Sequence, residues 1–379
     1  MRRATTPAAL ALTLVLACFA PAGGAQDASR GAITIGAGGD LLLQPRVVSA
    51  ARAALDGFDR IVGPVRIMAP SEDIAFANLE SPLSEEIAVT SGSPPTLGAP
   101  PEFAASIARA GIDVISVANN HAWDQGARGA ALTLSALREA GVGAIGAGLT
   151  EEDAIAPLVV RRGRVRVAFV AVTNRVNAGP GDAEPRARIA TWDDARVASA
   201  LEAARRVADV VVVSIHWSHD FWESPREEER TRARFLVDHG ADVVLAHGPH
   251  VLHPVERLVS SRGDAVCAYS LGNLVSNQGF AYRVGHEGSG HEATWRPDAR
   301  DGAWLRLHVS VDGQHISIGA IEAVPLFTYN NFYERDSDVE AHEDIYVQRL
   351  ADVSDLALRA ERHAAIAAAL GPQVSLVDR

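Results

Sequence analysis

The chain has 379 residues, 47% of them hydrophobic and 22% charged, which is the balance of a globular protein with a large core. All 35 basic residues are arginine, so neither a Walker-type phosphate loop nor a Schiff-base lysine can operate. The formal net charge of -12 argues against a nucleic-acid or anionic-membrane surface, and an anionic ligand would have to be held by local positive charge such as a metal ion.

Residues 1–25 read as an export signal: Arg2 and Arg3, then the apolar run Ala8 to Ala20, then small residues ending Gly23-Gly24-Ala25. The run is too short to anchor in a membrane by itself. Cys18 follows Val15-Leu16-Ala17 in an approximate lipoprotein processing site, whereas Ala25 closes an ordinary signal-peptidase site. Either reading places the protein outside the cytoplasm, with membrane attachment only through a lipid on Cys18. The folded part then keeps Cys267 alone, which excludes an intrachain disulfide and a Cys-ligated structural zinc.

From residue 33 onward, short β-branched runs alternate with longer Ala-, Leu- and Arg-rich segments, the pattern of an α/β fold. Strands are expected at Ile33–Ala37, Ile74–Ala77, Val114–Val117, Val165–Val172, Val210–Ile215, Val243–Leu245, Val266–Tyr269, Trp304–Val311 and His315–Ile321. Helices are expected over Gln125–Ala140, Asp193–Ala208 and Pro225–His239. Gly92–Pro101 and Asn174–Pro185 read as loops, and Gly285–Arg300 as a mobile excursion. The organisation is an export leader over residues 1–25, one domain over residues 31–327, and a helical tail over residues 328–379.

The polar residues are informative because of where they fall. Ligands of open α/β sheets bind at the carboxyl ends of strands, and nearly every early strand candidate runs into metal-capable or acid-base side chains. The first ends in Gly38-Gly39-Asp40, which alone is an ordinary turn. The second ends in Asn78-Leu79-Glu80 and the third in Asn119-Asn120-His121, followed by Asp124 and Gly126. Paired asparagines can cap a helix, but Asn-Asn-His after a buried strand points to a ligand or acid-base role. The all-valine run Val210–Val213 leads through Ser214-Ile215 to His216-Trp217, with His219 and Asp220 close behind. The sixth strand ends in Ala246-His247-Gly248-Pro249-His250, then His253, three imidazoles within seven residues. Together these give a carboxylate, amide and imidazole set without thiolate, suited to one or two divalent ions of manganese, zinc or iron.

These motifs, with Tyr269-Ser270-Leu271-Gly272-Asn273, resemble the CapA (poly-γ-glutamate capsule synthesis) family, itself similar to calcineurin-like metallophosphoesterases. The resemblance runs in order from residue 33 to 276. It implies a metallophosphoesterase-like four-layer α/β/β/α sandwich with metal ligands on loops at one edge. Carried over position by position, Asp40, Glu80, Asn120, His216, His247 and His250 would be metal ligands. His121 would be the general acid, oriented by Asp124. Asn273 lies in a matching motif with either a site role or a turn role. The implied function is a metal-dependent hydrolase acting on phosphoester or γ-glutamyl bonds during synthesis or processing of a cell-surface polymer. The alternative is a noncatalytic accessory that guides an anionic polymer beside a membrane-embedded synthase. The family commonly has Gly where this chain has Ser218, and a further His where it has Gly248; His219, Asp220 and His253 are the candidates to replace that imidazole.

Overall fold

The computed structural model describes residues 30–179, 187–285, 292–333 and 342–378. The export leader and Cys18 lie outside the described residues. Among the described residues, seventeen strands follow the chain: β1 Arg30–Leu41, β2 Ile74–Leu79, β3 Val114–Ser116, β4 Gly143–Ile145, β5 Ala147–Gly148, β6 Leu158–Arg162, β7 Val165–Thr173, β8 Arg188–Ile189 and β9 Val210–His216, then β10 Val243–His247, β11 Val255–Ser260, β12 Gly263–Ala268, β13 Asn273–Val275, β14 Asp301–Asp312, β15 His315–Asn330, β16 Ile345–Arg349 and β17 Ser375–Leu376. The main sheet has the order β4-β3-β2-β1-β14-β15-β12-β10-β9-β7-β6. It doubles over where β15 meets β12, a junction paired only through Gly263 and Ile316, so its two halves pack face to face.

Side-chain alternation builds the layers. Along β9, Val210 and Val212 enter the core between the sheet halves, while Val211, Val213 and Ile215 face the helices Asp194–Val207 and Glu227–Asp238. Along β2, Ile74 and Phe76 face inward, while Ala75, Ala77 and Leu79 face the helices Pro45–Ala53, Phe103–Arg109 and Gly126–Glu139. Three apolar cores thus separate four layers, an α/β/β/α sandwich. The helix Asp194–Val207 buries Val197, Ala200, Leu201 and Ala204, one face at helical spacing, and is capped by the Asp193 carboxylate accepting from Arg196 N.

All nine expected strands and three expected helices form, all but one within a few residues of their expected limits; the exception is β15, which runs nine residues past Ile321 to Asn330. The segment after residue 327 departs from a helical tail. β15 continues to Asn330, β16 adds antiparallel to it, the helix Leu356–Leu370 follows, and β17 returns alongside β15. Ile345, Val347, Ile366 and Leu370 are buried, so this segment completes the cores. The expected excursion Gly285–Arg300 carries a short helix at Glu292–Trp295 and a 3-10 turn at Pro297–Arg300. Its residues 286–291 lie outside the described residues.

Candidate metal centre

The alternation that builds the core also delivers the polar residues. Glu80 follows β2 on the same parity as Phe76 and Asn78, His216 shares the parity of Val212, and His247 that of Leu245. Each side chain therefore enters the space between the sheet halves just where the apolar core ends. β1 reaches the same place through a register shift between Ala37 and Asp40, which sends Leu41 into the helical layer and leaves Asp40 inside. Gly39 makes this approach feasible, since a Cβ there would stand 2.0 Å from the Gly272 carbonyl oxygen. Asp40 N donates to that oxygen at 3.0 Å, which sets Asp40 beside Asn273.

Five of the six sequence-derived ligands, Asp40, Glu80, His216, His247 and His250, come together. Donor atoms of Asp40, Glu80 and His216 all lie within 4.8 Å of one another. His247 Nδ1 is 3.3 Å from Asp40 Oδ1, and His250 Nδ1 is 3.4 Å from Asp40 Oδ2. Glu80 Oε1 lies 3.4 Å from His216 Nε2 and 3.7 Å from His250 Nε2. Atoms bound to one ion at about 2.0–2.3 Å stand roughly 3–4.5 Å apart, so this spacing fits donors arranged around a cation. Both Glu80 oxygens, both ring nitrogens of His216 and of His247, and Asn120 Oδ1 are buried without a hydrogen-bond partner among the described residues. Unpartnered buried polar atoms are rare in folded proteins, and seven from four residues mark a site built for a charged ligand.

The electrostatics agree. Burial works to raise the Asp40 carboxyl, but the neighbouring His247 and His250 rings outweigh it and hold the group well below the carboxylate range. Glu80 is likewise buried yet held low, chiefly by His250 and His216. Burial would depress the His250 imidazole, but Glu80 and Asp40 push it up to about 10. In the metal-free protein a proton on His250 therefore balances part of the carboxylate charge.

His121 and Asp124 form a separate pair. His121 Nδ1 donates to Asp124 Oδ2 at 2.5 Å, and Leu97 N donates to the same oxygen at 2.7 Å. The carboxylate thereby holds the proton on Nδ1 and leaves Nε2 as the accepting nitrogen, 3.4 Å from Asn177 Nδ2. The two asparagines before it diverge. Asn119 donates to the Leu79 carbonyl at 2.8 Å and accepts from His121 N at 3.1 Å, so it shapes the turn. Asn120 instead keeps its buried oxygen unpartnered.

Other residues orient this set. Asn273 Oδ1 is 3.1 Å from His250 Nδ1, and its Nδ2 lies within 3.2 Å of the carbonyls of His250 and Ala299 and of Gln278 Oε1. It anchors the loop that carries His250, a residue held at a left-handed φ of 61°. Asn78 Nδ2 donates to Asp40 Oδ1 at 2.8 Å. The three candidates to replace the imidazole absent at Gly248 do not gather at the centre. His219 pairs with Arg226, and Asp220 is exposed. His253, which burial keeps neutral, lies 2.6 Å from the Trp222 carbonyl through Nε2. Gly248 has φ 105°, and a Cβ there would stand 2.9 Å from His216 Cε1, so this backbone leaves no room for a side chain. Sequence reasoning missed Asn174 and Asn177, which sit beside His216 and His121; their signal was two asparagines directly after the buried strand β7.

A sequence profile of the bacterial capsule synthesis protein PGA_cap matches residues 34–278, which contain every residue named at the centre. The chain belongs to the PGA_cap family. It is 32% identical to the capsule biosynthesis protein CapA of Bacillus anthracis over 188 residues, 48% of this chain and 45% of that protein. It is 30% identical to the PGA biosynthesis protein CapA of Bacillus subtilis (strain 168) over 207 residues, 50% of this chain and 53% of that protein. The chain spans about half the length of these curated relatives. A solved 5'-nucleotidase precursor from Thermus thermophilus superposes with TM-score 0.47 at 11% identity, covering 89% of this chain and 59% of that one. The candidate metal centre of this PGA_cap chain draws on both sheet halves, while β16, the Leu356–Leu370 helix and β17 lie beyond the family match.

Proposed function

We propose that this chain is a metal-dependent hydrolase acting on a cell-surface polymer or its phosphoester precursors during capsule synthesis or processing. The observation that carries this reading is the convergence of unpartnered donors from Glu80, His216 and His247 beside Asp40 and His250. These five residues, with Asn120, would hold one or two divalent ions of manganese, zinc or iron. Such ions supply Lewis-acid activation of water and stabilise charge developing on the reacting group. The remaining chemistry belongs to the chain. His121 Nε2 moves a proton to the leaving group, Asp124 holds the ring in the required tautomer, and the Leu97 amide holds Asp124.

The His121–Asp124 pair separates this reading from a noncatalytic accessory, which would need a metal for shape but no positioned acid. Gly248 is the feature that favours the accessory, since it stands where the family resemblance implies a further imidazole. The test is turnover of phosphodiester and γ-glutamyl substrates by the metal-loaded chain and by His121→Ala. The hydrolase reading expects His121→Ala to keep its metal and lose turnover on whichever substrate the wild type cleaves. Full metal occupancy without turnover on any ester or amide supports the accessory. We also propose export, on the strength of Arg2, Arg3 and the apolar run Ala8–Ala20. A shortened mature chain in the envelope fraction is expected, and a full-length chain in the cytoplasm contradicts it.

A further inference from the structure

The loop after β7 touches the proposed centre at two points. Asn174 N donates to the His216 carbonyl at 3.0 Å, and Asn177 N donates to the Asn120 carbonyl at 2.7 Å. Asn177 Nδ2 stands 3.4 Å from His121 Nε2. This orientation agrees with the ring tautomer, because Nδ1 carries the proton shared with Asp124 and Nε2 accepts. The side-chain oxygens of both Asn174 and Asn177 are then buried without a hydrogen-bond donor among the described residues. An unsatisfied buried acceptor is destabilising, and the ligand set around Asp40 and Glu80 does not account for these two. They are neutral acceptors beside the group that protonates the leaving atom, so they suit a leaving group that bears a hydrogen. An amide nitrogen bears one in the ground state, whereas the bridging oxygen of a phosphoester does not.

We infer that Asn177, supported by Asn174, is a specificity-determining residue that selects a carboxamide bond over an ester, its Oδ1 accepting the N–H of the scissile amide. This rests on the hydrolase reading and narrows its substrate class. In the reaction, water oxygen bonds to the acyl carbon and the C–N bond breaks with its electron pair going to nitrogen. One water proton passes to His121 Nε2 and from there to that nitrogen, the second reaches it as the acid product ionises, and the products are a carboxylate and an ammonium. A γ-glutamyl amide presents such an N–H.

Two probes isolate the N–H: γ-glutamyl p-nitroanilide and the matching γ-glutamyl p-nitrophenyl ester, measured with the metal-loaded full chain. The ratio of anilide to ester kcat/KM is expected to fall about tenfold or more in Asn177→Ala, the loss of one hydrogen bond to a buried acceptor. Asn177→Asp keeps an acceptor and the shape, and it is expected to retain more of that ratio than the alanine variant. An unchanged ratio in Asn177→Ala overturns the inference, as does a wild type that cleaves phosphodiesters but neither γ-glutamyl probe. The latter result leaves the hydrolase reading standing. A metal-loaded wild type that cleaves none of these substrates removes both.

Discussion

The two ends of the parallel strands β9 and β10 bury charge in opposite ways. At their amino ends, the Asp242 carboxylate is 1% exposed and fully engaged: it accepts from Val211 N at 2.8 Å, from Arg205 at 2.8 Å and from Arg262 at 3.3 Å. Burial dominates this pair, pushing Asp242 up to about 6 and lowering Arg205, and the hydrogen bonds offset it. At the carboxyl ends, His216 and His247 meet Glu80 and Asp40 with most of their donor atoms unpaired. Arg205 Nε alone in that cluster lacks a partner among the described residues, so the same strands carry a nearly closed electrostatic knot at one end and an open one at the other. Closed knots serve the fold, and open ones await a ligand.

That contrast can be broken most forcefully at Glu80, neither of whose oxygens has a hydrogen-bond partner among the described residues. Glu80→Gln is expected to abolish stoichiometric metal binding by elemental analysis, while the metal-free variant is only modestly less stable than the metal-free wild type, having lost the attraction between Glu80 and the protonated His250. A metal-free variant much less stable than the metal-free wild type would show that Glu80 belongs to the fold. Asp242→Ala should behave in the reverse sense. It removes the buried carboxylate shared by two part-buried guanidiniums, which keep only carbonyl partners, and is expected to cost about 3–5 kcal/mol in denaturant unfolding with metal stoichiometry intact. Between these lies Asn273→Ala, which frees the His250 loop and should weaken metal affinity about 10–100-fold without abolishing binding, as titration would show.

The smallest effect is a proton count. A histidine raised to about 10 by Glu80 and Asp40 is charged at about pH 8 in the metal-free chain, so metal uptake there should release at least one proton. Release should fade above about pH 10, where His250 is already neutral. The same shift fixes the sign for stability. A folded-state imidazole raised above its ordinary 6.5 contributes stability that is fully present below that value and lost as pH rises through about 10. Metal-free protein should therefore lose stability between about pH 7 and about pH 10, and His250→Asn should flatten that slope.

Much of this was legible in the sequence because burial on two faces writes long apolar runs, and Val210–Ile215 and Val243–Leu245 could only be central strands. The candidate ligands were legible because each ended such a run. What the sequence did not show was long-range. Strand parity alone does not say that β1 slips register at Asp40, since that slip depends on the backbone of Leu271-Gly272 pressing on Gly39. Nor does a polar, charged segment around Ile345–Arg349 announce a strand, because its pairing partner β15 supplies the order. Asn119 and Asn120 look equivalent as neighbours, and only the position of the Leu79 carbonyl divides a turn residue from a candidate ligand.

The most direct test of the central claim is the metal content of the purified chain after exposure to manganese, zinc and iron, with wild type beside His216→Ala and Asp40→Ala. At least one divalent ion per wild-type chain and none in either folded variant is the predicted result. A folded wild type that retains no ion, or variants that retain as much as the wild type, would contradict it.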